Sequence, residues 1–164
     1  MLLHLIRHGH ALPADKDSAR PLSPRGRDDV VTLAEHLRAD PAGAPAAIWH
    51  SPFRRARETA ALLAQHAGRQ VMLIGKSHLT PEADPEKIAR LLAEMPPVAD
   101  LAIVGHEPHL GAFATLLVTG TAGPVKFALE KAGMLTLASV PGTHEASGFP
   151  RWEVRAHFVP PAAR

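Results

Sequence analysis

The sequence predicts an α/β domain of three layers, α/β/α, with a mostly parallel central sheet and an antiparallel edge. Two observations carry that prediction. As far as Val118, short apolar runs of strand length alternate with longer segments whose apolar residues recur at helical spacing. That is the pattern of a parallel sheet covered by helices on both faces, with right-handed crossovers. Beyond Thr119-Gly120 the helical spacing stops and strand-like runs follow one another across Gly- and Pro-containing turns, which adds an antiparallel hairpin. The 164 residues suit one domain, 1–164, with no linker and no internal repeat.

The elements follow in order. Leu2 to Ile6 is a short apolar run that ends in Arg7-His8-Gly9-His10, so it reads as a buried strand delivering polar groups at its carboxyl end. Open α/β sheets place their ligand crevice at such ends. Leu12 to Arg20 lacks periodicity and reads as a loop. Ser23-Pro24 is a helix cap followed by a first-turn proline, opening a helix to about Arg38 with Val30, Leu33, Ala34 and Leu37 inward. Asp40-Pro41-Ala42-Gly43 ends it.

Ala46 to His50 is the second strand. Ser51-Pro52 repeats the cap signature before a helix to about Ala67, with Phe53, Ala56, Ala60, Leu63 and Ala64 inward and Gly68 as its stop. Val71 to Ile74 is the third strand and Leu79 to Pro85 a loop. Asp84-Pro85 caps a helix to about Met95, with Ile88, Leu91, Leu92 and Met95 inward. Leu101 to Val104 is the fourth strand, closed by Gly105-His106-Glu107-Pro108. A helix from about His109 to Val118 then presents Leu110, Phe113, Ala114 and Leu117. Val125–Leu129, Met134–Val140 and Trp152–Phe158 read as strands, the last two as a hairpin.

Composition excludes several classes of function. Cysteine is absent, which removes disulfides, thiol catalysis and cysteine-based metal sites. The net charge of +2 is spread along the chain, and aromatics make up only 4%, which argues against a nucleic-acid surface with stacking platforms. No apolar run approaches the ~18 residues that cross a bilayer, and Leu2–Ile6 is too short for a secretory signal. A cytoplasmic location is the expectation, with no membrane partner. The 16 prolines and the abundant alanine carry no functional message.

Three strands end in groups that attract anions: Arg7, His8 and His10; His50, Ser51, Arg54, Arg55 and Arg57; Gly105, His106, Glu107 and His109. As parallel neighbours they converge on one rim. Arginine forks match phosphate oxygens, and the amides opening the helix after Ser51 can add to such a site. A neutral imidazole can attack phosphorus or exchange protons. The residues alone point to a phosphoryl site without a metal, since the histidines are far apart in sequence and the arginines repel a cation.

Arg7-His8-Gly9 after an apolar strand resembles the signature of the histidine phosphatase superfamily, also called phosphoglycerate mutase-like. Arg20-Pro21-Leu22-Ser23-Pro24-Arg25-Gly26, Ser51-Pro52-Phe53-Arg54-Arg55-Ala56-Arg57-Glu58-Thr59 and Gly105-His106-Glu107-Pro108 are similar to further motifs of that family, in family order. The short length resembles its SixA branch of small phosphohistidine phosphatases. The resemblance implies a phosphoglycerate mutase-like fold and a nucleophilic His8 that accepts the phosphoryl group. It implies Arg7 and Arg55 clamping the oxygens, His106 contacting them from the other side, and no cofactor. Gly9 would allow close backbone approach beside the nucleophile.

Some residues keep two readings. Arg55 competes with Arg54 and Arg57, and its offset from Ser51 fits the family motif. Arg20 either lines the phosphate pocket or anchors its loop. His50 reads as a strand-end histidine, and His10 as a rim group that tunes substrate preference. Larger relatives carry a glutamate acid after the third strand; here Glu82 and Asp84 are the candidates, with helix capping the simpler role for Asp84. The expected activity is metal-independent hydrolysis of phosphohistidine on a protein such as a phosphotransfer domain. The alternatives are a phosphomonoesterase acting on a small phosphorylated metabolite and a non-catalytic phosphate-binding scaffold. Phosphate or another oxyanion is the expected occupant of the pocket.

Overall fold

The computed structural model describes residues 1–40, 44–96 and 99–161. Its strands are β1 (Leu2–Arg7), β2 (Ala47–His50), β3 (Met72–Gly75), β4 (Leu101–Gly105), β5 (Met134–Thr143) and β6 (Pro150–Phe158). Its helices are α1 (Pro24–Ala39), α2 (Arg54–His66), α3 (Pro85–Glu94) and α4 (His109–Thr119). The strands form one sheet in the order β3-β2-β4-β1-β5-β6. The first four are mutually parallel, while β5 runs antiparallel to β1 and pairs with β6 as a hairpin.

The period of two along the central strands divides the core between the two faces. Leu3 and Leu5 of β1 and Ile103 of β4 pack with Ile88 and Leu92 of α3 and with Leu110 and Phe113 of α4. Ile6 and Val104 point the other way, against Val30 and Leu33 of α1 and Ala56 and Ala60 of α2. With both faces covered, β4 reads as a continuous apolar run, and β1 does so apart from buried His4, whose Nδ1 lies 3.0 Å from Thr136 Oγ1. Each fully buried Leu, Ile or Phe contributes about 1.5–3 kcal/mol through its removal from water.

Register places the loops. Arg7 pairs with Gly105, and His50 with Val104, so β1, β4 and β2 end level with one another. The His8 amide bonds to the Gly105 carbonyl at 3.1 Å and the Ser51 amide to the Val104 carbonyl at 3.0 Å. Residues distant in sequence are therefore neighbours on one rim.

Caps agree with the sequence at two helices: Ser23 Oγ accepts from the Gly26 amide, and Asp84 Oδ1 accepts from the Glu86 amide. At α2 the expectation fails. The helix begins at Arg54 with Phe53 at its cap, because the buried Ser51 hydroxyl is engaged elsewhere. Val125–Leu129 is not a strand. Its backbone is satisfied by side chains instead of a ladder: Lys126 N–H bonds to Thr115 Oγ1, Leu129 N–H to Glu107, and Leu129 O accepts from Arg7. Met95 lies just past the end of α3 and is 58% exposed, not inward. Pro41-Ala42-Gly43 of the expected stop after α1 lies outside the described residues.

Candidate active site

His8 sits directly past β1, buried and held on every side. Its carbonyl accepts the Ala132 amide at 3.2 Å, which also reaches the Arg7 carbonyl at 3.1 Å. The following residue, Gly9, faces α1: a Cβ there would lie 2.7 Å from the Gly26 carbonyl and 3.1 Å from Leu22. The bare backbone is thus required for packing against the first turn of α1. The Gly9 amide bonds to Thr59 Oγ1, whose hydroxyl donates to the Arg55 carbonyl at 2.8 Å. Fully buried Thr59 therefore ties the loop after β1 to α2.

The ring of His8 is equally constrained. Nδ1–H donates to its neighbour's carbonyl, Gly9 O, at 2.7 Å, which leaves the lone pair on Nε2. Nε2 accepts from Arg55 Nε at 3.1 Å. Burial pushes the pKa of His8 down to about 4, with repulsion from Arg55, Arg7 and Lys131 acting in the same direction. At neutral pH the imidazole is uncharged and its Nε2 is a free base.

Arg55 is buried despite its charge because its whole fork is paired. Nη1 donates to Asp17 O at 2.7 Å and Nη2 to Asp17 Oδ2 at 3.0 Å, while the guanidinium lies 5.1 Å from the Phe53 ring centre. Arg54 and Arg57 on the same helix are exposed, and Arg54 is spent on Glu58 at 2.7 Å. Of the three arginines, only Arg55 reaches His8. Arg7 donates through Nη1 to Leu129 O at 2.9 Å, and its buried Nε has no partner.

His106 completes the group. Its ring centre lies 5.0 Å from that of His8 and 5.2 Å from that of Phe53. Nε2 is 2.8 Å from Ser51 Oγ, and the buried Nδ1 has no hydrogen-bond partner. Burial, then His8 and Arg55, lowers its pKa to about 3, so this ring too is neutral. The assembly is two neutral imidazoles among two permanent cations, with orphaned nitrogens on Arg7 and His106. It lacks an anion.

The remaining sequence candidates separate. Arg20 anchors its loop through Leu12 O, Ala11 O and Asp17, and so braces the carboxylate that holds Arg55. His10 is bound to Ser23 Oγ at 2.9 Å and lines the rim. His50 contacts its neighbour's carbonyl, Ser51 O. Asp84 is the α3 cap and Glu82 is exposed; neither hydrogen-bonds to His8, Arg7, Arg55 or His106 among the described residues. Sequence reasoning missed Asp17, although its spacing from Arg20 allowed a local pair, and the arginines beside it hold its carboxyl below the usual range. It also missed Lys131, which no local pattern marks.

The model for the histidine phosphatase superfamily (branch 1) matches residues 3–76, the stretch from β1 to the end of β3. An uncharacterized protein of Picosynechococcus sp. is 33% identical over 145 residues, covering 85% of this chain and 86% of its own. The chain belongs to the histidine phosphatase superfamily. Among solved structures, the protein histidine phosphatase SixA complexed with tungstate superposes with a TM-score of 0.80 at 23% identity, covering 96% of both chains. A mycobacterial glucosyl-3-phosphoglycerate phosphatase in complex with VO3 reaches 0.68 at 20% identity, covering 94% of this chain and 97% of its own. Both share the phosphoglycerate mutase-like fold seen here, the first in complex with tungstate and the second with VO3. For a superfamily of phosphatases, a pocket of paired arginines and neutral histidines has an evident use. It can surround a phosphoryl group with fixed donors while keeping an unprotonated nitrogen aimed at it.

Proposed function

We propose that this histidine phosphatase hydrolyses phosphohistidine on a protein through a covalent intermediate on His8. The observation that carries the reading is the His8 ring itself: Nδ1–H is locked on Gly9 O, and Nε2 is a neutral base in a pocket of cations. Nε2 would attack phosphorus, forming a P–N bond as the bond to the leaving group breaks. Arg55, Arg7 and the unpartnered Nδ1 of His106 would take the three phosphoryl oxygens. The Gly9 carbonyl would stabilise the positive charge that develops on the imidazole. Water would then attack phosphorus, break the P–N bond and release phosphate, restoring His8.

Two features favour phosphohistidine over an alkyl phosphate. A phosphoryl group on imidazole is a reactive donor and needs little help in departing. The site offers little help: Asp17 is held ionised by Arg55 and Arg20, and Glu82 and Asp84 stand apart. Among the described residues the loops around His8 are short, which suits access by a protein-borne group. On this reading the permanent charges of Arg7 and Arg55 would stabilise the transferring group without a bound divalent cation.

The test is a substrate panel at several pH values: a phosphohistidine phosphotransfer domain, sugar phosphates, nucleotide phosphates and an aryl phosphate, each with and without a chelator. Wild type should favour the phosphotransfer domain with no loss to chelation, and His8→Ala should be inert. Glu82→Gln and Asp84→Asn should retain activity on phosphohistidine. Comparable rates on every substrate would remove the protein-specific reading and leave a broad phosphomonoesterase. Activity surviving in His8→Ala would remove the covalent route.

A further inference from the structure

A cleft of about 560 Å³ opens beside Arg7, and Arg55 does not line it. Arg7, Arg25 and Lys131 supply cations to its walls, Asp29 and Glu130 supply carboxylates, His10 completes the polar lining, and residues 159–161 close one end. We infer that this cleft is a second anion subsite, and that it receives a carboxylate or phosphate carried on the leaving side of the phosphoryl donor. The inference deepens the proposed reaction and rests on His8 being the phosphoryl acceptor.

Three features of the fold support it. Arg7 is common to the cleft and to the charges acting on His8, so one side chain links an anion in the cleft to the reacting group. Lys131 is also tied to the His8 backbone through its neighbour. Ala132 adopts φ 56°, a left-handed conformation that alanine rarely takes, with its amide shared between the Arg7 and His8 carbonyls. The surrounding contacts impose that turn, and it sets where Lys131 stands. Lys131 also repels the charged form of His8, and burial and repulsion from Arg7, Arg20 and Arg25 outweigh the attraction of Glu130 for its own charge.

The charges are also under-compensated. No salt bridge forms to Lys131 among the described residues. Arg25 is 62% exposed and meets Asp29 only at 3.7 Å, the longest ion pair among the described residues. By contrast Arg27, Arg54 and Arg55 hold carboxylates at 2.7–3.1 Å. Cations placed at an open cleft without tight partners are suited to an incoming anion. The chemistry fits an acidic side chain beside a phosphohistidine, and equally an acid group on a small phosphorylated compound.

Calorimetry on the full chain decides it without requiring turnover. Methylphosphonate probes the pocket at His8 alone, whereas phosphonoacetate adds a carboxylate. Wild type should bind phosphonoacetate about tenfold more tightly, as expected for two added charge contacts. The double variant Arg25→Gln/Lys131→Gln should bring the two probes close to parity. Arg38→Gln/Arg69→Gln removes the same charge in the last turn of α1 and just past the end of α2 and should keep the preference. Equal binding of the probes by wild type, or a preference that survives in Arg25→Gln/Lys131→Gln, overturns the subsite.

Turnover then identifies the source of the anion. A preference for phosphohistidine peptides with acidic over neutral flanks, lost in the double variant, assigns it to a protein. A preference confined to carboxylated aryl phosphates assigns it to a small molecule. No turnover of any phosphohistidine peptide would remove the proposed substrate, while the calorimetric ratio would still judge the cleft.

Discussion

Arg55 Nε and His8 Nε2 face each other across 3.1 Å, the arginine N–H donating into the lone pair of the imidazole. In the proposed reaction the phosphoryl group would enter between them. The N–H that now meets Nε2 would meet a phosphoryl oxygen instead, leaving the imidazole lone pair to the phosphorus. Asp17 and Phe53 hold the rest of the guanidinium in place throughout.

Arg55→Lys should therefore be far from conservative. An ammonium cannot span Asp17 and His8 together. We expect kcat to fall by about 10²–10³, the usual cost of losing one preorganised charged donor, with the fold intact by circular dichroism. A loss below tenfold would mean that Arg55 does not meet the transferring group.

His8→Asn should abolish covalent labelling. Wild type quenched during turnover should carry a phosphoryl group that is lost in acid and retained in base, as a P–N bond is. An acid-stable label would place the phosphoryl group on another residue.

Ser51 acts on His106. Its Oγ accepts from the Phe53 amide at 3.3 Å and lies 2.8 Å from His106 Nε2; by giving its proton to that nitrogen it would keep the ring proton on Nδ1, where the proposed reaction needs a donor. Ser51→Ala should lower kcat about tenfold, with little change in KM. Ring ¹⁵N shifts should show the Nδ1–H tautomer of His106 in wild type and a mixture in the variant, with Ser51→Thr restoring the first. An Nε2–H tautomer in wild type would reverse the assignment.

Stability should fall on mild acidification. Buried His8 and His106 have folded-state values of about 4 and about 3, below the ordinary 6.5, and His4 and His109 shift the same way. Between those values and 6.5 the unfolded chain binds more protons, so stability rises with pH through the window and levels off above it. Urea midpoints should therefore drop from about pH 7 to about pH 5, less steeply in His8→Asn. A flat series over that range would contradict the buried, neutral histidines.

Thr59→Val keeps shape but removes the hydroxyl between Arg55 and Gly9. The Gly9 amide is then buried without a partner, at a cost of about 1–3 kcal/mol. Urea unfolding should show that loss, and kcat should drop as the loop after β1 loses its tie to α2. Unchanged stability would mean that the loop is held by its packing on Gly26 alone.

Local signals made much of this legible. Periodicity placed the central strands and all four helices. Ser23-Pro24 and Asp84-Pro85 marked two helix starts, because a cap and a first-turn proline act within a few residues. Arg7, His8, Arg55 and His106 were recognisable as motifs because each lies at a strand end or a helix start. The errors share one cause. Ser51 looked like a cap, and Val125–Leu129 like a strand, because their partners, His106 in one case and Arg7, Glu107 and Thr115 in the other, are remote in sequence.

What the sequence determined by itself was the set of elements and the chemical types gathered at their ends, since both follow from short-range spacing. The tertiary structure decided which groups meet. The parallel register of β2, β4 and β1 set Ser51, His106 and His8 side by side. The turn at Ala132 brought Lys131 to the same rim, and the loop at Asp17 took hold of Arg55. Those contacts close loops of tens of residues, and only the packed sheet and its two helical layers supply the free energy that holds them.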